Sequence, residues 1–355
     1  KNDGFSYAPS SGRPEFRAHW KEMMVKKNPG LAGKSFSQPI VTCALTHGLS
    51  MGGYLFIDNG DQVISPDRYW ENYDLIFKNA YNGTISTFAM FVDGERFNLA
   101  GLRKQLLGTP AEKKIVVLNF PNNPTGYTVT NSEAAELRVL LIEAAEAGNT
   151  VVVFIDDAYF GLVYEEDILK ESVFSLLCDA HERILAVKFD GPTKEDYVWG
   201  FRLGFITFGI KNGTPELYQA LEAKLSGAIR GNISNASNIS QALLLSSYKS
   251  PTYDDEKKNK YSTLERRYRK IKTLFSEHPE YAEFFQPLPY NSGYFMCIRI
   301  LSGDAESVRK CLLSKYSTGI IAQQDLLRIA FSSTPLSMID TMFENCYKAA
   351  KECAG

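Results

Sequence analysis

The chain has 355 residues, 44% hydrophobic and 23% charged, with a formal net charge of −2. That length allows a large core and two domains, and the near-neutral balance gives no electrostatic basis for binding nucleic acid or an anionic membrane. No apolar run is long enough to span a bilayer and no stretch reads as a signal peptide, and cysteines that look reduced lead to the expectation of a cytoplasmic protein. The first residue is Lys1, and a targeting segment ahead of it would be invisible here. Six scattered cysteines form no CxxC pair and four histidines have no ligand spacing, so neither disulfides nor a metal is expected.

Residues 1–12 are polar and glycine-containing, and Tyr7 among them reads as a surface turn residue. Pro14 suits the first turn of a helix over 14–27. Residues 40–43 read as a short strand passing directly into a helix that extends to Ile57. Such a junction leaves free backbone N–H groups at the helix start, a ready anion site, with Thr46 able to cap it. An ordinary strand–helix junction would look the same. Residues 60–64 turn into another strand, followed by Tyr69, Trp70 and Tyr73. These suit either a flat wall for a planar ligand or core filling.

A strand over 115–119 runs into Phe120-Pro-Asn-Asn-Pro-Thr-Gly126, a rigid loop. A helix starting at Thr130 or Ser132 stops at Gly148. The apolar strand 151–155 then ends in Asp156-Asp157-Ala158-Tyr159. Strands over 184–187 and 205–208 flank a polar loop that holds Lys194 and, inside Gly200-Phe-Arg-Leu-Gly204, Arg202. A lysine sheltered between rigid elements suits covalent carbonyl chemistry, and an arginine between glycines can grip a phosphate. Unbroken apolar strands alternating with helices argue for a parallel sheet covered on both faces, where ligands sit beyond the strands' carboxyl ends. Asn123, Asp156 and Lys194 all follow strands ending there.

From about Ser246 the texture changes. A helix over 253–277, a strand over 294–300, a helix over 304–315, a strand over 326–331 containing Arg328 and a closing helix over 335–353 suggest a smaller α+β domain. The expected division is 1–245 and 246–355.

One cofactor would use these groups together. Pyridoxal 5′-phosphate needs a lysine, an acid facing its ring nitrogen, donors to its ring oxygen, a phosphate cup and an aromatic against its ring. The motif Asn122-Asn123-Pro124-Thr125-Gly126 adds to this set. So do the gaps: 33 residues from Asn123 to Asp156, 38 from Asp156 to Lys194 and eight from Lys194 to Arg202. On these residues the chain resembles the fold-type I PLP-dependent aminotransferases of class I/II, of the aspartate and aromatic aminotransferase kind.

That resemblance implies an α/β fold: a large domain with a mostly parallel sheet flanked by helices, plus a smaller α+β C-terminal domain. It implies Lys194 as the Schiff-base lysine, Asp156 rather than Asp157 as the partner of the ring nitrogen, and Tyr159 and Asn123 as donors to the ring oxygen. Trp70 would stack on the ring. The backbone of Ala44, Leu45 and Thr46 would hold the phosphate with Arg202, and Tyr7 would reach the phosphate of a neighbouring subunit. Arg328 would grip the substrate α-carboxylate, and Asn123 would also bind the substrate. Arg230 resembles a second arginine of dicarboxylate-specific members, and equally fits a structural arginine. The implied assembly is a homodimer with shared active sites. The implied substrates are a small-molecule amino acid, aromatic or acidic, and a 2-oxo acid, with 2-oxoglutarate the expected acceptor.

The chain departs from the family pattern in three places. Gly191 stands where many members carry a serine, the loop before Arg328 is short, and the family's N-terminal segment is absent ahead of Lys1. The same motifs also suit a PLP-dependent carbon–sulfur lyase, which would need no 2-oxo acid, or a non-catalytic PLP-binding sensor module.

Overall fold

Residues 4–354 are described by a computed structural model. In chain order the elements are α1 (Pro14–Lys27), β1 (Ile40–Thr42), α2 (Ala44–Phe56), β2 (Gln62–Pro66), β3 (Thr84–Phe88), β4 (Phe91–Val92), β5 (Arg96–Phe97), α3 (Leu99–Leu107), β6 (Lys113–Asn119), α4 (Asn131–Glu146) and β7 (Thr150–Asp156). There follow α5 (Val173–Leu177), β8 (Ile184–Asp190), α6 (Pro192–Glu195), β9 (Gly204–Gly209), α7 (Pro215–Asn232), α8 (Asn238–Ser247) and α9 (Tyr253–Glu277). The chain closes with β10 (Phe285–Pro287), β11 (Met296–Ile300), α10 (Ala305–Tyr316), β12 (Ile321–Gln323), β13 (Leu326–Ile329) and α11 (Ile339–Cys353).

Seven strands form the larger sheet in the order β1-β9-β8-β7-β6-β2-β3. From β3 to β8 every pairing is parallel. β9 then runs antiparallel to β8, and β1 antiparallel to β9. The sheet is therefore mostly parallel, and this reversal shapes the site. The connection from β8 to β9 lies wholly at the edge where β6, β7 and β8 end, and β1 ends there too before entering α2.

Alternation along the strands divides the core. Phe154, Val187 and Phe189 pack towards α2, whereas Val153, Ile155, Ile184 and Ala186 belong to the cluster on the other face with Leu137, Leu141 and Phe174. Both faces of the central strands are covered, which is why these strands read as continuous apolar runs. Helix α4 starts with a capping box, in which Thr130 and Glu133 each bond the other's backbone N–H.

The smaller sheet is antiparallel, in the order β10-β11-β13-β12. Two of its strands, β10 and β12, have three residues each and carry no alternation that a sequence pattern could register. The closing helix starts at Ile339, after a short turn at Leu336–Met338, rather than at Pro335. Helix α9 spans the 253–277 stretch as expected, and Phe275 near its end packs against Phe343 of α11, ring centroids 5.3 Å apart. Among the described residues no helix is long and apolar enough to cross a membrane.

Candidate active site

The carboxyl ends of the central strands enclose a cavity of about 240 Å³. Nine residues expected from the sequence line it: Ala44, Leu45, Thr46, Trp70, Asn123, Asp156, Tyr159, Lys194 and Arg202. Asn119, Ala158 and Thr193 complete the wall.

Asp156 is the last residue of β7, and the two-residue period of the strand turns its side chain to the α2 face. The Tyr73 hydroxyl donates to its Oδ2 at 2.6 Å and the Ala158 N–H to its Oδ1 at 3.1 Å. No cation among the described residues forms an ion pair with it. Burial raises the Asp156 carboxyl above its ordinary value, while the Tyr73 hydrogen bond, the Lys194 charge and the Ala158 N–H pull it down. The Asn119 side chain bridges the ends of β6 and β7, donating to the Asp156 carbonyl at 2.8 Å and accepting from the Asn123 N–H at 2.8 Å. Burial, and then the Asp156 charge, raise the Tyr159 phenol above its ordinary value.

The sequence suggested a polar loop for Lys194, but it lies on α6, one short helical turn with Pro192 at its start. Proline's fixed φ and missing N–H suit that position. The Lys194 amine lies 4.8 Å from the centre of the Tyr159 ring, and its carbonyl accepts from the Tyr294 hydroxyl at 3.2 Å. Burial lowers the amine below the ordinary lysine value; Asp156 opposes this and Arg202 adds to it. Gly191 has a packing cause. A Cβ there would stand 2.8 Å from the Leu203 carbonyl oxygen and 2.9 Å from the Gly204 Cα, so a serine would force the entry to β9 outward. The Thr193 hydroxyl is turned to the Leu203 carbonyl at 3.2 Å.

At the other end of the cavity α2 begins at Ala44 with Cys43 as an N-cap that makes no side-chain bond. Thr46 is already the third helical residue, too far along to be the cap the sequence suggested. His47 instead secures the junction, its Nδ1 accepting from the Cys43 N–H at 3.1 Å. The start of α2 thus lines the cavity without a side-chain cap. Arg202 is exposed beside them with no carboxylate partner among the described residues. Ala44 (φ 62°) and Arg202 (φ 51°) both hold left-handed backbone, a cost more often met at functional sites. Gly204 permits this approach, since a Cβ there would be 2.7 Å from the Ala44 carbonyl carbon; Gly200 faces open space.

Arg328, on β13, adjoins the cavity through Asn123, donating from Nη1 to Oδ1 at 3.1 Å. Its guanidinium lies 4.7 Å from the Phe295 ring centre, and its Nε is buried without a hydrogen-bond partner. Tyr7 is 91% exposed, and Arg230 is exposed near the end of α7; neither lines the cavity of its own chain. Sequence reasoning missed the roles of Tyr73, Asn119, Tyr294 and Phe295. The Trp70–Tyr73 spacing was the available signal for Tyr73, because residues three apart share a side of a helical turn.

The family model for aminotransferase class I and II matches residues 1–344. The chain belongs to this family. Its members use pyridoxal 5′-phosphate. Aspartate aminotransferase of Geobacillus stearothermophilus is 25% identical over 253 residues, 70% of this chain and 58% of that protein. A probable aspartate/prephenate aminotransferase of Aquifex aeolicus is 23% identical over 264 residues, 74% of this chain and 61% of that protein. The chain thus covers less than two thirds of the length of these curated relatives. Among solved structures, an aminotransferase from Anaerococcus prevotii superposes with a TM-score of 0.84 at 21% identity, covering 100% of this chain and 84% of that one. A Pyrococcus horikoshii kynurenine aminotransferase superposes with a TM-score of 0.80 at 17% identity, covering 99% and 83%. These structures share the fold.

The cavity's own chemistry fits the family cofactor. Among the described residues it offers an amine without a carboxylate partner, a buried carboxylate without a cation, and a helix start beside an arginine without a counter-ion. A phosphorylated aldehyde with a basic ring nitrogen satisfies all of them.

Proposed function

We propose that this aminotransferase family member is an active transaminase, moving an amino group between an α-amino acid and a 2-oxo acid. The observation that carries this reading is Lys194 and Asp156 facing one cavity, each without an ionic partner among the described residues. Bound there, pyridoxal 5′-phosphate supplies a conjugated ring that stabilises negative charge at the substrate Cα. Lys194 would be its covalent anchor, and burial, which lowers its amine, favours the neutral form that can take a proton from Cα and return it. Asp156, held by Tyr73 and the Ala158 N–H, would keep the ring nitrogen protonated. Asn123 and Tyr159 would bond the ring oxygen, Trp70 would cover the ring, and Ala44, Leu45, Thr46 and Arg202 would hold the phosphate. Arg328 would bind the substrate carboxylate, orienting Cα for proton transfer.

The substrate reading is an aromatic or acidic donor with 2-oxoglutarate as acceptor. Relatives named for aspartate, aromatic amino acids and kynurenine support it. So does the aromatic cluster that Tyr294 and Phe295 form with Tyr159 beside the cavity. Tyr7 and Arg230 are exposed and away from their own cavity, so we assign them to a partner subunit's site in a homodimer. The domains would divide near residue 245.

The test is a panel of amino acids with added pyridoxal 5′-phosphate, with and without 2-oxoglutarate. Glutamate formation dependent on the 2-oxo acid is expected. Ammonia and a 2-oxo acid released without an acceptor would make the chain a lyase. Tight cofactor binding with no turnover on any donor would leave a binding module.

A further inference from the structure

Directly behind Lys194 lies a buried charge cluster that the proposed chemistry does not use. Glu195 and Asp196 follow Lys194 in the chain, and both are buried, Glu195 at 4% exposure. A buried carboxylate is costly unless paired, and each of these is paired. Lys27 of α1 is 2.7 Å from Glu195. Lys257, in the second turn of α9, is 2.9 Å from Glu195 and 2.9 Å from Asp196. The hydroxyls of Tyr248 and Tyr253 donate to Asp196 at 2.8 and 2.6 Å. A second cavity of about 610 Å³ opens on the outer side of the cluster, with Lys27, Glu195 and Lys257 in its lining and no residue in common with the Lys194 cavity.

Adhesion alone does not call for charges here. Apolar side chains of similar volume would hold a buried turn without the desolvation cost. What hydrogen-bonded charges add is direction. Helix α6 has four residues, too few to fix its own conformation. The orientation of Lys194 must therefore come from outside the turn. Bonds from α1, from α9 and from Tyr248 just after α8 converge on the two residues that follow the lysine. Asp156, Tyr159 and Arg202 face the amine from the cavity side, and Tyr294 holds its carbonyl.

We propose that Lys257 is a positioning residue. Through Glu195 and Asp196 it fixes the α6 turn and so sets where the Lys194 amine sits between Tyr159, Asp156 and Arg202. Since α9 runs from this cluster to the smaller sheet, the same bonds tie the placement of Lys194 to that part of the molecule. The consequence for turnover rests on Lys194 being the reacting amine; the placement itself does not.

The test reads the amine directly. The full chain is acetylated with trace acetic anhydride across a pH series, and the Lys194 peptide is quantified by mass spectrometry to give a titration midpoint. With Lys257→Met the turn loosens and the amine gains water, so the midpoint should move up, by about one pH unit. Lys257→Arg keeps the charge and should restore most of the wild-type midpoint. Tyr253→Phe keeps every charge, removes one directional bond and should move the midpoint the same way by less. Lys113→Met, which breaks a surface pair with Asp58 and Asp61, should leave it in place. In parallel, the pH titration of the absorbance after adding pyridoxal 5′-phosphate should shift in the same order.

An unmoved midpoint in folded Lys257→Met and Tyr253→Phe overturns the proposal and leaves the cluster structural. If Lys257→Met fails to fold, Tyr253→Phe decides. A wild-type chain that takes up no pyridoxal 5′-phosphate defeats the transaminase reading, and the acetylation profile still judges this one.

Discussion

Two sets of lysine and aspartate side chains gather along and just beyond the neighbouring strands β7 and β8, and they have opposite fates. Lys188, in β8, is 1% exposed, with Asp157 at 2.7 Å and Asp190 at 2.6 Å. The Ser172 hydroxyl donates to Asp157 at 2.5 Å, and the Trp20 Nε1–H to Asp190 at 3.1 Å. Burial pulls the Lys188 amine down, but Asp157 and Asp190 outweigh it and hold it above the ordinary lysine value. Such a lysine is charged, closed off and chemically quiet. Lys194 and Asp156 lie on the cavity face, with no ion pair between them, and the Lys194 amine is lowered. Strand alternation alone separates Asp156 from Asp157. One face thus leaves an amine and a carboxylate at a cavity with no ion pair between them, while the other neutralises its own lysine with Asp157 and Asp190.

The largest effect should come from the open pair. Lys194→Ala should lower kcat by roughly 10²–10⁴-fold, the scale of a lost acid–base group, with stability close to wild type. A variant that keeps near-wild-type turnover would mean that Lys194 is not the reacting amine. Asp157→Ala should do the reverse. It strips one counter-ion from a buried lysine and should cost roughly 3–5 kcal/mol of stability in urea unfolding. Asp156→Ala should instead spare stability and remove most turnover. Equal damage by both criteria would mean that the two faces are not functionally distinct.

Glu195 sharpens the contrast from behind the lysine. Burial would raise its carboxyl, but Lys27 and Lys257 outweigh that and hold it at about 2, against an ordinary 4.5. A carboxyl lowered on folding stabilises the folded state above its ordinary value and loses that contribution as pH falls from about 4.5 towards 2. At about 1.4 kcal/mol per pH unit the loss is about 3 kcal/mol. Unfolding midpoints measured between pH 5 and 2.5 should therefore fall more steeply for wild type than for Glu195→Gln. The smallest effect should be that of Tyr73→Phe, which takes one hydrogen bond from Asp156 and should lower kcat about tenfold without changing KM.

Much of this was legible in the sequence, for physical reasons. Helices over 14–27 and 253–277 carry helical signals along their length, and the strands ending at Asn119 and Asp156 are buried on both faces. The cavity set was legible because each member follows a strand that ends at the same edge. The antiparallel turn of β9 was not, because an apolar strand has the same composition in either direction. Thr46 misled because capping depends on a boundary placed to within one residue. Glu195 and Asp196 gave no signal, since two acidic residues after a lysine look like solvated surface until α1 and α9 close over them.

On the transaminase reading the amine open to the cofactor is that of Lys194, and not that of Lys188. The chain incubated with pyridoxal 5′-phosphate, reduced with borohydride, digested and mapped by mass spectrometry should carry the pyridoxyl group on the peptide containing Lys194 alone. A label on Lys188, or an even spread over surface lysines with Lys194 unmodified, would contradict it.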